Sequence, residues 1–131
     1  MYKNKPPVLP EAVEQEQLFQ IAQYHVGTYP ELALMYAIPN GGSRHLLEAV
    51  NLQRQGVKAG VPDICLPIPR GGYGALYIEM KREKGGTVQD NQRDWQKKLI
   101  NAGNAAFICK GCEEAWKVIL AYLHQRLEKS S

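Results

Sequence analysis

Long hydrophobic runs are missing from this 131-residue chain. The longest uninterrupted apolar stretches, such as Ala105 to Cys109, fall far short of the ~20 residues that cross a bilayer. A membrane-spanning role is therefore excluded. Cysteine is scarce too: three residues, an odd number at no framework spacing, exclude a disulfide scaffold and agree with a reducing compartment. The stretch from Met1 to Pro7 has lysines but no apolar segment behind them, so it reads as a short flexible tail and not a signal peptide, and a cytoplasmic location is expected. Charge of one sign is not in excess. Sixteen Lys and Arg against thirteen Asp and Glu leave +3, which permits nucleic-acid binding without demanding it. There is no internal repeat and no low-complexity segment. With 44% hydrophobic and 22% charged residues, the composition is that of one soluble domain able to bury its own core. The expected boundaries are a tail over 1–10, a single domain over 11–127 and a C-terminal tail over 128–131.

Local patterns give an alternation of helices and strands. Pro10 and the acidic residues after it open a helix from Glu11 to Gly27, with Leu18, Ile21, Ala22 and His25 as its apolar stripe. Leu34 to Ile38 reads as a strand closed by Pro39-Asn40-Gly41-Gly42, and Ser43 as the N-cap of a helix over Arg44 to Gln55. Asp63 to Ile68 and Gly74 to Lys81 are two strands joined by turn residues Arg70 to Gly74, which predicts an antiparallel hairpin with Pro67 ending its first arm. Thr87 caps a third helix from Val88 to Ala102, with Trp95 and Leu99 spaced by four. Ala105 to Cys109 is a last strand, and Glu113 to Leu127 a last helix with Trp116, Ile119, Leu120 and Leu123 inward. The order helix, strand, helix, strand, strand, helix, strand, helix implies an α/β fold, a mixed sheet of about four strands flanked by helices.

Chemistry concentrates on the hairpin. Positions i and i+2 of a strand share a face, so Glu79 and Lys81 point the same way. Antiparallel pairing brings Asp63, at the start of one arm, beside them at the end of the other. Two carboxylates at one point repel unless a cation joins them, and hard oxygen ligands without His or Cys select Mg²⁺ or Mn²⁺. Cys109-Lys110-Gly111-Cys112 has the spacing of a redox or half-zinc site, but no second pair completes four ligands, and a buried strand cysteine followed by a turn cysteine is favoured. His25, His45 and His124 have no nucleophile at a recognisable spacing. Asn40-Gly41-Gly42-Ser43-Arg44 reads equally as an ordinary tight turn or as backbone amides offered to a phosphate. Arg44, Lys58, Arg82 and Lys84 flank the carboxylates and are candidate phosphate contacts, against routine solubilising charge.

Pro62-Asp63 sixteen residues before Glu79-Met80-Lys81 resembles the PD-(D/E)xK nuclease superfamily, and within it the virus-type replication-repair nuclease family, VRR-NUC. The likeness covers about residues 11 to 120. It is carried by Glu11-x-x-x-Gln15, Ile38-Pro39-Asn40-Gly41-Gly42, Gly56-Val57-Lys58-Ala59-Gly60-Val61-Pro62-Asp63, Ile78-Glu79-Met80-Lys81, and Gln92 with Trp95. The resemblance implies a PD-(D/E)xK core and metal-dependent, structure-selective cleavage of DNA. Small stand-alone phage and bacterial members act as dimers on four-way junctions, and fused eukaryotic relatives cut flaps. It implies Asp63, Glu79 and the Met80 carbonyl as metal ligands and Lys81 as the catalytic lysine. Glu11 is then the helix acid that reaches the metal, with Gln15 one turn later and Glu14 as the alternative acid if the register shifts; Gln92 falls where the family has a glutamine facing the site and is a further candidate DNA contact. The implied partners are branched DNA and a second copy of the chain, with no membrane and no small-molecule substrate. Two other classes are weighed: a non-cleaving recombination accessory module, which gives no chemical reason to retain Asp63, Glu79 and Lys81 together, and a sequence-specific restriction enzyme, for which the chain leaves little room for base-reading elements.

Overall fold

The structure is a computed structural model and describes residues 7–39 and 46–128. Their element order is α1 (Glu11–Tyr24), a 3₁₀ turn (Pro30–Leu34), β1 (Tyr36–Ala37), α2 (Leu46–Arg54), β2 (Ile64–Leu66), β3 (Leu76–Lys81), α3 (Asp90–Asn101), β4 (Ala105–Lys110) and α4 (Cys112–Leu123). The sheet runs β1-β2-β3-β4, antiparallel except for the parallel β3 and β4 pair. It is the mixed, helix-flanked α/β sheet that the alternation implied. The hairpin forms as expected, with Arg70 bridging Tyr73 across its turn and β2 ending at Leu66, just before Pro67.

Alternation along β3 divides the molecule. Leu76, Ile78 and Met80 are fully buried on one face against Leu18 and Ala22 of α1 and Ile119 and Tyr122 of α4. Tyr77, Glu79 and Lys81 take the opposite face, where α3 lies across β4 and the Gln96 amide donates to the Ala106 carbonyl at 3.1 Å. Each fully buried aliphatic side chain of the first face contributes roughly 1.5–3 kcal/mol by leaving water.

Element ends differ from the sequence expectation for local reasons. Leu34 belongs to the 3₁₀ turn begun by Pro30 and is exposed, so β1 is confined to Tyr36–Ala37. The third helix starts at Asp90, not beside Thr87, because the Gln92 side-chain oxygen accepts the Gln89 N–H at 2.9 Å and fixes the first turn there. The last helix ends at Leu123, where Gln125 takes a left-handed φ of 57° and the Arg126 N–H returns to the Ala121 carbonyl at 2.7 Å. Its inward face is Cys112, Ala115, Ile119, Tyr122 and Leu123, which leaves Trp116 and Leu120 half-buried. In α3 the buried residue is Gln96, with Trp95 and Leu99 half-buried beside it. Ser43, the 40–44 loop and His45 lie outside the described residues, as do 1–6 and 129–131 of the expected tails.

An acid ties α1 to α4. Glu14 is buried and its Oε1 accepts the Cys112 N–H at 3.0 Å, its carboxylate lying against Gly111 at the start of α4, where the helix dipole favours negative charge. His25 donates within its own helix end, Nδ1 to the Ile21 carbonyl at 2.8 Å, and His124 pairs with Tyr29, so both are structural. Glu14→Ala strands the Cys112 amide and should cost about 1–3 kcal/mol, whereas Glu14→Gln, which keeps an acceptor, should cost less. Urea midpoints of the two variants measure the difference, and equal midpoints would remove the cap from this account.

Candidate active site

Register builds the site. Ile64 pairs with Ile78, so one step further along the antiparallel ladder Asp63 comes beside Glu79. Because β2 begins at Ile64, the Met80 N–H lies past the end of the ladder on that side, and Asp63 Oδ2 accepts it at 2.7 Å. The Asp63 carbonyl accepts the Ile38 N–H at 2.7 Å, which fixes the residue from the β1 side as well. Pro62, just before it, is buried. Asp63, Glu79 and Lys81 therefore converge because of strand parity and register.

Glu79 and Lys81 are each only 5% exposed, an unusual depth for charged groups. Glu79 Oε2 lies 3.7 Å from Lys81 Nζ and accepts from Gln92 Nε2 at 3.1 Å. Its other oxygen, Oε1, is buried without a hydrogen-bond partner. Burial pushes the Glu79 carboxyl up to about 8, the Asp63 charge pushes the same way, Lys81 pulls it down, and the Glu11 charge raises it again. A bare carboxylate is thus disfavoured at this point, and a divalent cation would favour it. The orphaned oxygen, the carboxyl pair and the absence of soft ligands fit Mg²⁺ or Mn²⁺, which bind through one or two carboxylates and keep several waters. Among the described residues no group of three His, Cys, Asp or Glu side chains could hold a metal ion, so Glu11 does not join Asp63 and Glu79 in a ready-made cluster; an ion there needs backbone carbonyl or water oxygens to complete its shell.

The other candidates are spread around this centre. Glu11 is the first residue of α1, half-buried, and near enough for its charge to act on Glu79. The carboxylate of Glu14, the alternative acid, is engaged at the start of α4, its Oε1 accepting the Cys112 N–H. Gln15 is half-buried one turn along. The Met80 side chain is in the core, so only its backbone faces the site. Lys58, Arg82 and Lys84 are exposed: Arg82 donates to the Gly85 carbonyl at 2.9 Å, and Lys84 borders a cleft of about 1150 Å³ with Val8, Ile21 and Trp116 that does not include the carboxyl pair. Gln92, a candidate for DNA contact, has its amide group committed to Gln89 on one side and Glu79 on the other. Arg44 lies outside the described residues. Cys109 and Cys112 are both buried, and burial pushes the Cys109 thiol up to about 12 and raises Cys112 as well, which disfavours the thiolate at both.

Sequence reasoning missed two contacts. Trp95 Nε1 donates to the Ala59 carbonyl at 3.1 Å, tying α3 to the loop before Asp63. The Glu14 cap was the other, and its signal was present: Glu14 lies four residues before Leu18, on the buried stripe, and Gly111 precedes an acidic helix start.

The raised Glu79 carboxyl sets a pH dependence. Unfolded Glu titrates near ~4.3, so between there and about 8 the folded protein binds more protons than the unfolded chain, and metal-free stability falls as pH rises through that window. Glu79→Gln copies the neutral form and removes that slope. Without metal it should match the wild type at pH 4 and exceed it at pH 8.5 by at least ~1 kcal/mol, several degrees or more in Tm. Thermal unfolding at the two pH values checks this, and a variant less stable at pH 8.5 would refute it.

No helix among the described residues is long and apolar enough to cross a membrane. No curated protein matches the chain. A solved structure described as a VRR_NUC domain protein superposes with a TM-score of 0.77 over 96% of each chain at 24% identity, a likeness that shows the fold. The VRR-NUC domain family matches residues 8–113, a span that holds β1 to β4 together with Asp63, Glu79 and Lys81. On that match over most of its length, the chain belongs to the VRR-NUC family, the virus-type replication-repair nucleases of the PD-(D/E)xK superfamily.

Proposed function

We propose that this nuclease is a divalent-metal-dependent endonuclease that selects DNA by structure, hydrolysing phosphodiesters with Mg²⁺ or Mn²⁺ and resolving four-way junctions as a homodimer. The observation that carries the reading is the convergence of half-buried Asp63 with buried Glu79 and Lys81, with one Glu79 oxygen left unpartnered. Asp63, Glu79 and the Met80 carbonyl would hold the cation, and Glu11 would complete its surroundings directly or through water. When bound, the cation supplies Lewis-acid stabilisation of the phosphate's charge and activates water for hydrolysis. The chain's own groups do the remainder. The Met80 N–H orients Asp63, the Gln92 amide holds Glu79, and Lys81 offers a compact positive charge against the negative charge that grows on the phosphate. Exposed Lys58, Arg82 and Lys84, with Arg44, contact phosphates and not base edges, which suits recognition by shape. A single site per chain cuts one strand at a time, and two-fold symmetry places two sites on a four-way junction.

Asp63→Ala and Glu79→Ala should abolish cleavage while leaving DNA binding largely intact. Lys81→Ala should lower turnover by on the order of a hundredfold or more with little loss of affinity, and Lys81→Arg should not restore it, since a guanidinium fork places charge differently. Glu11→Gln should lose activity that partly returns at high Mn²⁺. Full turnover in either carboxylate variant, with contaminating nuclease excluded, would defeat the site.

Substrate and assembly are tested together, with labelled linear, flap, splayed and four-way DNA incubated with Mg²⁺, Mn²⁺ or EDTA. Four-way DNA should be nicked in preference to a linear duplex of the same sequence, only with metal, and light scattering should give twice the 14.7 kDa chain mass. A monomer that prefers flaps keeps the nuclease and defeats the junction reading. A dimer that binds junctions and never cuts favours an accessory module.

A further inference from the structure

The loop that leads from α2 to Asp63 is pinned to α3 at two consecutive residues. Trp95 Nε1 donates to the Ala59 carbonyl at 3.1 Å. Gly60, at a φ of 87°, lies so close over α3 that a Cβ added there would meet Asn91 at 2.9 Å from its side chain and 3.0 Å from its backbone. No side chain fits that approach, and the left-handed φ excludes most residues as well. Three residues after Gly60 comes Asp63. From the same first turns of α3, Gln92 reaches across to Glu79 at 3.1 Å, its own position fixed by the Gln89 N–H. One helix end thus touches both segments that carry the carboxylates, through Asn91 and Trp95 on one side and Gln92 on the other.

We infer that the N-terminal half of α3 is a bracket that sets the spacing of Asp63 and Glu79, and that Trp95 is a positioning residue for Asp63. The inference rests on the metal-dependent reading for its purpose, and on the hydrogen bonds alone for its geometry. Spacing matters because Mg²⁺ demands oxygens at about 2.0–2.1 Å in near-octahedral array, and groups that orient ligands from behind are worth roughly 10–100-fold in metal affinity. The sheet also holds Asp63, through the Ile38 N–H to its carbonyl and the Met80 N–H to its carboxylate. If those two bonds fixed the residue alone, loosening the loop at Ala59 would leave the carboxylate where it is. The bracket requires that it move.

The Met80 amide reports on Asp63 without any metal, because the Asp63 carboxylate is its acceptor. Trp95→Phe keeps an aromatic ring and removes the N–H, together with part of the indole's area. In the metal-free full chain, hydrogen exchange followed by NMR should show the Met80 amide exchanging at least fivefold faster in Trp95→Phe, while amides of α4 keep their wild-type rates. Mn²⁺ affinity by calorimetry should fall about tenfold, and cleavage should lose turnover at low Mn²⁺ and recover as Mn²⁺ is raised. Gly60→Ala, which forces the loop off Asn91 by another route, should move the same readouts in the same direction. Unchanged Met80 exchange and Mn²⁺ affinity in both variants would overturn the bracket, as would a uniform rise in exchange across α4, which marks general destabilisation. A wild type that binds no Mn²⁺ and cuts nothing, while Trp95→Phe still frees the Met80 amide, would overturn the nuclease reading and leave the bracket standing.

Discussion

The Glu79 carboxyl is held almost out of water with one oxygen shared between Lys81 and Gln92 and the other unpartnered. Leaving a buried carboxyl oxygen without a partner costs free energy in a protein interior even when the group is neutral, so the surrounding structure must hold it there by force of packing. That packing is the other face of β3, where Leu76, Ile78 and Met80 are locked between the sheet and helices α1 and α4. Strand parity does the rest: with Ile78 and Met80 inward, Glu79 cannot turn away from the site face. The hydrophobic core and the polar site are two sides of one six-residue strand.

The helices divide the task. Packing of α1 and α4 on the core face is secured at one end by the Glu14 carboxylate on the Cys112 amide, which also commits that acid away from the site. On the site face α3 presents polar residues to the sheet, with Gln92 reaching Glu79 and Gln96 the Ala106 carbonyl. A helix whose buried residue is a glutamine is poorly suited to contributing hydrophobic stability. It is well suited to fixing the orientation of buried polar groups, since each amide both donates and accepts.

Much of this was legible in the sequence. The order of elements, the antiparallel hairpin and the convergence of Asp63, Glu79 and Lys81 follow from the period-2 rule and the turn at Arg70 to Gly74. What was not legible falls where tertiary contacts override local preference. Thr87 is a good cap by residue type, yet the Gln92 side chain starts the helix later. Trp95 and Leu99 are spaced by four, yet the residue of this helix that is buried against the sheet is Gln96, a position that rewards hydrogen bonding over apolar burial. Glu11 and Glu14 are equivalent by helix-dipole reasoning, and only the arrival of α4 beside α1, nearly a hundred residues later in the chain, separates them.

On the proposed reading, the unpartnered Glu79 oxygen is kept for a divalent cation. The direct measurement is the ¹³C shift of the Glu79 side-chain carboxyl at pH 7, with and without Mg²⁺. Without metal, the carboxyl should titrate near about 8 and be largely protonated. With Mg²⁺ it should be ionised, the ion displacing a proton into solution. A Glu79 carboxyl that titrates at the same point whether or not Mg²⁺ is present would contradict the account.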